Sequence, residues 1–214
     1  MSKVYDCANA TERETGIDEA AAAVRSGELV VLPTDTVYGV GADAFLPQAI
    51  DGLLVAKGRD RSMPVPVLVA SPSMLNALVD QMPETAAALS EQFWPGALTL
   101  VMRHTSHLVW DLGDSKGTVA VRMPASDIAQ DLITRTGPLA VSSANRSGHP
   151  PATTMLDARL QLGASVAVYL DGGPSGASVA SSIVDVTGEQ PRLLRAGAID
   201  LEALREVVPD LDEG

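Results

Sequence analysis

The stretch LVVLPTDTVYGVG, residues 29–41, combines a short apolar segment with a loop rich in polar side chains. Its first four residues are too few for a helix and are bounded by Gly27 and Pro33, so they are predicted to form a buried strand. The residues after Pro33 supply hydroxyls, one carboxylate and one phenol, and two glycines let the backbone approach a ligand closely. The stretch therefore predicts a strand with a binding loop for a small polar molecule after it.

Helical and strand-like patterns alternate outward from this stretch. Helices are predicted at residues 18–26, 46–57, 71–78, 84–93, 125–135, 155–162 and 201–208. Further strands are predicted at residues 65–69, 98–102, 119–121, 139–141, 166–170, 183–186 and 192–194. The alternation predicts an α/β fold, a single layered domain in which helices flank a twisted sheet. Because the late strands follow one another closely, we expect the sheet to be mixed rather than purely parallel.

Length, charge and composition limit the possible functions. The chain has 214 residues, of which 46% are hydrophobic, and we interpret residues 1–214 as one domain with a core at about 15–200 and an acidic helix and tail at 200–214. Fifteen basic and 27 acidic residues give a net charge of −12, which argues against strong independent binding of nucleic acid. One cysteine, no apolar leader and no stretch of membrane-span length predict a soluble cytoplasmic protein.

Several common site motifs are missing or incomplete. The chain has no Walker-type phosphate loop, and its three histidines and one cysteine are scattered, so no metal site is predicted. Residues 39–44 match the G-x-G-x-x-[GA] pattern of dinucleotide-binding folds. However, six residues separate the strand from the first glycine of this pattern, and Pro47 would interrupt the helix that the pattern requires. We therefore do not interpret it as a dinucleotide site.

Three other polar features lie at ends of predicted elements. Lys57-Gly58-Arg59 ends a helix, where the cations could either pair with the helix dipole or bind phosphate on an exposed loop. Arg122 ends an apolar strand and needs water, a protein carboxylate or an anionic ligand. Ser143-Ala144-Asn145 follows another strand and could serve either a ligand or its own backbone. Their joint occurrence at element ends favours a ligand site.

The order of short motifs along the chain is more specific than any one of them. The motifs are PTDTVYG at 33–39, KGR at 57–59, FWPGALTL at 93–100, VRMP at 121–124, SSANRSG at 142–148, SIVD at 182–185 and LRAGAI at 194–199. In this order they resemble the YrdC-like threonylcarbamoyl-AMP synthases, over about residues 15–200. The resemblance implies a YrdC-like fold. The chain is similar to the short, single-domain form of that family.

The resemblance also implies an activity and a set of site residues. It implies a nucleotidyltransferase that makes threonylcarbamoyl-AMP and pyrophosphate from L-threonine, bicarbonate or CO₂, and ATP with Mg²⁺, for the threonylcarbamoyladenosine modification of tRNA. It places L-threonine against Thr36, Arg122, Ser143 and Ser181. It places ATP against Lys57, Arg59, Thr118, Asn145, Thr153 and Arg195, with Lys57 and Arg59 also expected to act in catalysis.

Some details differ from the family pattern or stay open. Met63 stands where a polar or basic residue is common, so Arg61 is expected to replace that nucleotide contact. Asp35 is a candidate for proton transfer, for a magnesium shell or for stabilising a turn. We expect weak tRNA binding at most, no membrane association and a functional link to the complex that transfers the threonylcarbamoyl group to tRNA. An RNA-binding module and a carbamoyl-transfer maturation domain are the alternative functions.

Overall fold

The computed structural model describes residues 1–176 and 178–213. In these residues one mixed sheet of ten strands is flanked by seven α-helices and a short 3-10 turn at Gly163–Ser165. The strands are β1 (Lys3–Asp6), β2 (Val30–Leu32), β3 (Gly39–Asp43), β4 (Val67–Leu68), β5 (Leu98–Arg103), β6 (Thr118–Arg122), β7 (Leu139–Ser143), β8 (Val168–Asp171), β9 (Ser182–Asp185) and β10 (Arg192–Arg195). The helices are α1 (Ala10–Arg25), α2 (Pro47–Lys57), α3 (Pro72–Asn76), α4 (Glu84–Phe93), α5 (Asp127–Thr136), α6 (Met155–Leu162) and α7 (Leu201–Val207).

The strand order across the sheet is β1-β8-β2-β3-β7-β4-β6-β5-β9-β10. Four neighbouring pairs are parallel, namely β1 with β8, β8 with β2, β4 with β6, and β5 with β9. The other five pairs, β2–β3, β3–β7, β7–β4, β6–β5 and β9–β10, are antiparallel. The predicted mixed α/β sheet with flanking helices is therefore confirmed.

Strand β3 was predicted to be part of the binding loop, and this prediction is wrong. Glycines lower strand propensity, but β3 pairs with β7 over its whole length and with β2 over residues 39–41. A Cβ atom at Gly39 would lie 2.6 Å from Val141 Cγ1, so glycine permits the close approach of β3 to its neighbour. Tertiary packing, not local propensity, decides the structure here.

The chain before the first predicted helix is also more ordered than the sequence indicated. Strand β1 was not predicted, and α1 begins at Ala10 instead of residue 18. The Asn9 side chain caps α1 by accepting hydrogen bonds from the backbone N–H groups of Thr11 and Glu12 at 3.0 and 3.1 Å. At Gly16 a Cβ atom would lie 2.6 Å from Tyr5 Cβ, so this glycine lets α1 pack directly on β1.

The helices divide between the two faces of the sheet and leave part of one face uncovered. Helix α1 packs against α5 and against β1, β8, β2 and β3. On the same face, β4, β6, β5 and β9 carry side chains that line a cavity instead of packing under a helix. The opposite face carries the larger apolar core, which includes Ile50, Leu89 and Leu204 from α2, α4 and α7. None of the helices in the described residues is long and apolar enough to cross a bilayer.

Candidate active site

A cavity of about 580 Å³ lies over the uncovered half of the sheet. Because side chains alternate along a strand, every second residue of the central strands faces it. The floor is formed by small and apolar side chains, which are Leu68, Thr99, Val101, Ala120, Val141 and Ile183. Polar side chains reach the cavity from its rim, from the loop after β2, the end of α2, β7 and β9–β10.

Arg122, at the end of β6, is held from three sides. Its Nε donates to Gly96 O at 2.9 Å, Nη1 to Thr36 Oγ1 at 2.8 Å, and Nη2 to Asp35 Oδ1 at 2.7 Å. Burial lowers the pKa of Arg122, and the carboxylate of Asp35 partly offsets this effect. A guanidinium has five N–H donors, so the structure leaves two of them for a ligand. Of the partners considered from the sequence, a protein carboxylate is the one that the structure provides.

Asp35 therefore has an identifiable structural role. Its Oδ1 accepts from Arg122 Nη2 and from the backbone N–H of Ala125 at 2.9 Å, which fixes the guanidinium against the start of the α5 region. Asp35 is not among the residues that line the cavity. The geometry thus favours a positioning role for this carboxylate over proton transfer.

The two threonine hydroxyls of the loop form a chain with a defined direction. Thr34 Oγ1 donates to Val37 O at 2.6 Å and lies 3.0 Å from Thr36 Oγ1. Because the Thr34 proton is already used, the Thr36 hydroxyl donates to Thr34 and accepts from Arg122. Thr36 keeps one acceptor lone pair, which suits an N–H or O–H donor of a ligand.

Arg195 and Ser181 form the second polar group. Arg195 Nε and Nη2 donate to Ser181 O at 2.9 and 2.7 Å, and Nη2 also donates to Ser181 Oγ at 3.1 Å. Ser181 Oγ in turn lies 2.8 Å from Thr99 Oγ1. Burial lowers the pKa of Arg195, and the nearby charges of Arg122 and Arg59 lower it further. Arg195 is therefore repelled by both of the other guanidinium groups that line the cavity.

Arg59 provides the third guanidinium group. Its Nη2 donates to Met63 O at 2.7 Å and its Nη1 to Ser142 Oγ at 3.4 Å, while its Nε is buried without a described partner. Burial lowers the pKa of Arg59, although the exposed carboxylate of Asp60 counteracts this. In the described residues, neither Arg59 nor Arg195 forms an ion pair with a carboxylate.

The expectation that Lys57 lies on an exposed loop is wrong. Lys57 is only 3% exposed and is not part of the cavity lining. Its Nζ donates to the backbone carbonyls of Ser143 and Asn145 at 2.5 and 2.8 Å. Gly58 adopts the left-handed conformation at φ 61°, so the chain turns sharply and Lys57 and Arg59 diverge.

The other predicted residues divide between the cavity and its surroundings. Those that line it are Thr36, Arg59, Thr118, Arg122, Ser143, Ser181 and Arg195. Asn145 and Thr153, like Lys57, do not line it. The Asn145 amide donates to Arg146 O and His149 O, which leaves its Oδ1 buried without a described partner. Thr153 Oγ1 instead lies 3.5 Å from Asp157 Oδ2.

The structure places the Arg61 side chain outside the cavity lining. This residue forms ion pairs with Asp51 on α2 and with Asp111, and it does not line the cavity. The backbone of Arg61 accepts from Asp114 N at 2.9 Å, so its segment is fixed to the loop before β6. Arg61 is thus paired with protein carboxylates at the surface, and its proposed replacement of a nucleotide contact at Met63 stays a prediction.

Three hydroxyl side chains that line the cavity were given no role from the sequence, namely Thr34, Thr99 and Ser115. Thr34 lies inside the PTDTVYG motif, and Thr99 is a polar residue in an otherwise apolar strand, which is a usable signal. Among the described residues, no group of three or more His, Cys, Asp or Glu side chains could hold a metal ion.

Comparison with known proteins places this chain in a family. A family model for the Sua5, YciO and YrdC proteins, described as "Telomere recombination", matches residues 22–197. The chain belongs to this family. A relative from Mycobacterium tuberculosis (strain ATCC 25618 / H37Rv), provisionally named as a threonylcarbamoyl-AMP synthase, is 52% identical over 208 residues, 97% of this chain and 96% of the relative. The threonylcarbamoyl-AMP synthase of Pyrococcus abyssi is 38% identical over 206 residues, 95% of this chain and 61% of that protein.

A solved structure extends the similarity to the fold. The crystal structure of P. abyssi Sua5 complexed with L-threonine matches with a TM-score of 0.91 at 34% identity, over 99% of this chain and 62% of that chain. This chain thus spans a little under two thirds of the Pyrococcus protein. The family, fold and enzyme class predicted from the sequence are confirmed, and the chain is a nucleotidyl-transferring enzyme of the threonylcarbamoyl-AMP synthase family. The roles assigned to individual residues stay predictions.

Proposed function

We propose that the chain makes threonylcarbamoyl-AMP and pyrophosphate from L-threonine, bicarbonate or CO₂, and ATP in this cavity. The observation that carries the proposal is the charge of the lining. Arg59, Arg122 and Arg195 reach one cavity, and among the described residues only Arg122 has a carboxylate partner. About two positive charges are thus uncompensated, and burying such charges is costly unless an anion joins them. A triphosphate supplies that anion.

We assign the phosphates of ATP to Arg59 and Arg195. Both side chains are held by carbonyl and hydroxyl oxygens, which orient the guanidinium groups without neutralising them. Guanidinium groups suit phosphate oxygens because they offer forked N–H donors. The same charges would stabilise the charge that develops on departing pyrophosphate.

We assign L-threonine to the Arg122 end of the cavity. The two unused N–H donors of Arg122 can bind the carboxylate, and the lone pair of Thr36 can accept from the amine. Leu68 faces the cavity beside Arg122, its register partner in the β4–β6 pair, and offers an apolar surface to the methyl group. A carboxylate, an amine and a methyl group therefore each find a chemically matched neighbour.

The reaction needs the threonine amine to lose a proton and attack CO₂, forming a carbamate. The carbamate oxygen then attacks the α-phosphorus of ATP, and the bond to pyrophosphate breaks. No Asp, Glu or His side chain is among the described residues that line the cavity. Nearby guanidinium charges favour a neutral amine, and the cavity is open on the uncovered side of the sheet, so the proton can pass to solvent without a protein base. Positioning and charge compensation then carry the catalysis.

Magnesium enters this proposal as part of the ATP complex. Oxygen atoms are the ligands that Mg²⁺ prefers, and it commonly keeps substrate phosphates and water as partners. The described residues provide no carboxylate cluster for it, and the two buried oxygens without a described partner, Asn145 Oδ1 and Ser175 Oγ, do not belong to the cavity lining. We therefore assign no step of the reaction to a metal held by the protein.

The test is release of pyrophosphate by the purified chain with threonine, bicarbonate and ATP added in every combination. We expect release only when all three are present. Serine should be poorer by about 10- to 200-fold, because loss of one methyl contact weakens binding by roughly 1–3 kcal/mol. Equal release without threonine would contradict the proposed function.

The product must also reach tRNA. The relatives that match nearly the whole chain favour this synthesis over the RNA-binding and carbamoyl-transfer alternatives. Because the chain has a net charge of −12, we propose that it binds tRNA weakly. The complex that transfers the threonylcarbamoyl group would then take up the intermediate. The cytoplasmic location stays a prediction.

A further inference from the structure

Four hydrogen bonds join the end of α2 to the end of β7 and to the loop that follows it. Lys57 Nζ donates to Ser143 O and Asn145 O, and Lys57 O accepts from Ser147 N at 2.8 Å. Arg59 Nη1 adds a contact of 3.4 Å to Ser142 Oγ. The lysine thus binds the loop with both its side chain and its backbone.

This arrangement is unusual for a lysine. Lys57 is 3% exposed, and no carboxylate in the described part of the chain forms an ion pair with it. Burying an ammonium group with only neutral partners costs free energy, and an apolar residue could fill the same space. A side chain with several N–H donors is useful here because two backbone carbonyls, Ser143 O and Asn145 O, point at the same spot and need a shared donor.

The segment held in this way, the end of β7 with its loop, contributes to both ends of the cavity. Ser142 and Ser143 line the cavity, whereas Lys57 does not. Ser143 lies on the side assigned to threonine, and Ser142 contacts Arg59, which is assigned to ATP. A shift of the loop would therefore disturb both substrates.

We propose that Lys57 is a positioning residue, which sets the backbone of residues 143–145 so that Ser142 and Ser143 face the cavity, and which does not itself bind the phosphates of ATP. The KGR motif then divides into two functions. Its lysine orders the protein, and its arginine meets the nucleotide. Because the kinetic readout depends on the proposed function, the test includes a structural measurement that does not.

The pKa of Lys57 agrees with this placement. Burial is the main cause that lowers it, to about 8, and the neighbouring charge of Arg59 lowers it further. The folded-state pKa thus lies below the usual 10.5, so the unfolded chain binds more protons between these values. Stability from this group consequently rises as the pH increases from 8 to 10.5. The neutral amine still has two N–H donors, enough for two carbonyls.

The experiment compares Lys57→Met, Lys57→Gln and a matched control, Arg61→Met. Arg61 is a cation four residues away whose ion pairs lie at the surface. Affinities for threonine, for a non-hydrolysable ATP analogue and for inorganic pyrophosphate are measured by calorimetry, and amide hydrogen exchange follows residues 143–147. Pyrophosphate release gives kcat and KM for both substrates.

If Lys57 is a positioning residue, Lys57→Met should lower the affinities for threonine and for the ATP analogue by similar factors of about 10 to 100. Amide hydrogen exchange at residues 143–147 should become faster. Lys57→Gln keeps N–H donors without charge and should lie between wild type and Lys57→Met for both ligands, which keeps the test valid if the methionine variant does not fold. Arg61→Met should leave exchange in this loop unchanged. Loss of ATP analogue and pyrophosphate affinity with unchanged threonine affinity and unchanged exchange would overturn the proposal, because it identifies a phosphate ligand.

Discussion

Replacement of Arg122 by alanine tests how the site distinguishes its two substrates. Arg122 is 6% exposed and contacts Gly96, Thr36 and Asp35, all on the side of the cavity assigned to threonine. We expect Arg122→Ala to weaken L-threonine binding strongly. Binding of an ATP analogue should change much less, because Arg59 and Arg195 keep their own partners.

The size of the effect follows from the donors that the structure leaves unused. Two N–H groups of Arg122 are available, and hydrogen bonds to charged groups contribute about 1.5–3 kcal/mol each. Water in the vacated space offsets part of this, so a net loss of about 2–5 kcal/mol is expected. At 1.4 kcal/mol for each factor of ten, threonine affinity should fall by roughly 30- to 4,000-fold.

A second substitution separates two causes of that loss. In Arg122→Ala the carboxylate of Asp35, whose side chain is 17% exposed, has lost its guanidinium and would repel the carboxylate of threonine. Adding Asp35→Asn removes the repulsion and should restore part of the affinity, so the two changes are not additive. Asp35→Asn alone keeps an acceptor for Arg122 and for Ala125 N, and it should cost less than Arg122→Ala.

Calorimetry with threonine and with the ATP analogue measures both affinities, and urea unfolding shows whether each variant is folded. Normal threonine affinity in a folded Arg122→Ala protein would refute the assignment. Equal losses for both ligands would show instead that Arg122 supports the whole cavity and not one end of it.

Two further predictions concern the nucleotide end and the backbone of the cavity. Arg59→Ala and Arg195→Ala should each reduce affinity for the ATP analogue by about 10- to 100-fold, since charge-assisted contacts contribute about 1.5–3 kcal/mol. Threonine affinity should stay within a few fold of the wild-type value. Calorimetry with both ligands checks this, and a larger loss for threonine would contradict it. A Cβ atom at Gly197 would lie 2.4 Å from the Ser181 carbonyl carbon, so Gly197→Ala should cost about 1–3 kcal/mol of stability and slow pyrophosphate release. Gly52→Ala on α2 is the control, because nothing lies within 4 Å of a Cβ atom at that position. Urea unfolding should show that it raises the free energy of unfolding by about 0.5–1 kcal/mol. Equal effects at the two glycines would show that close packing is not the cause.

The sequence predicted those parts of the fold in which local pattern and tertiary environment agree. The apolar run of β2 and the Ser71 cap with proline at the start of α3 are examples. Strand β3 could not be predicted locally, because its glycines have low strand propensity and are explained only by the neighbouring Val141. Strand β1 joins the sheet through β8, whose register partners lie about 165 residues away, so no short window of sequence contains the pairing.

For the site, residue type was easier to predict than side-chain direction. The hydroxyls and arginines that line the cavity follow strands, where alternation decides which face a residue occupies. Lys57 lies at a helix end and is followed by Gly58 in the left-handed conformation. Because the chain turns there, Lys57 and Arg59 lie in different environments although only two positions separate them in the motif. Asn145 was predicted to bind ATP but does not line the cavity. Its amide donates instead to Arg146 O and His149 O in its own loop. A motif shows that these residue types occur together, whereas the backbone decides which of them meet the ligand.

The distribution of charge also explains why the reaction needs both ends of the cavity at once. The two proposed reactants, a carbamate and a triphosphate, are both anionic and would repel each other in an uncharged pocket. Asp35 offsets Arg122, so the threonine end carries little excess charge, whereas Arg59 and Arg195 leave the other end positive. ATP binding would relieve the repulsion between these guanidinium groups, and the carbamate would form beside the remaining positive field. If this positive charge brings the two anions together, removing part of it should slow turnover more than it lowers the affinity for threonine. For that reason Arg195→Ala should reduce kcat even at saturating ATP, and an unchanged kcat with only a raised KM for ATP would show that Arg195 serves binding alone.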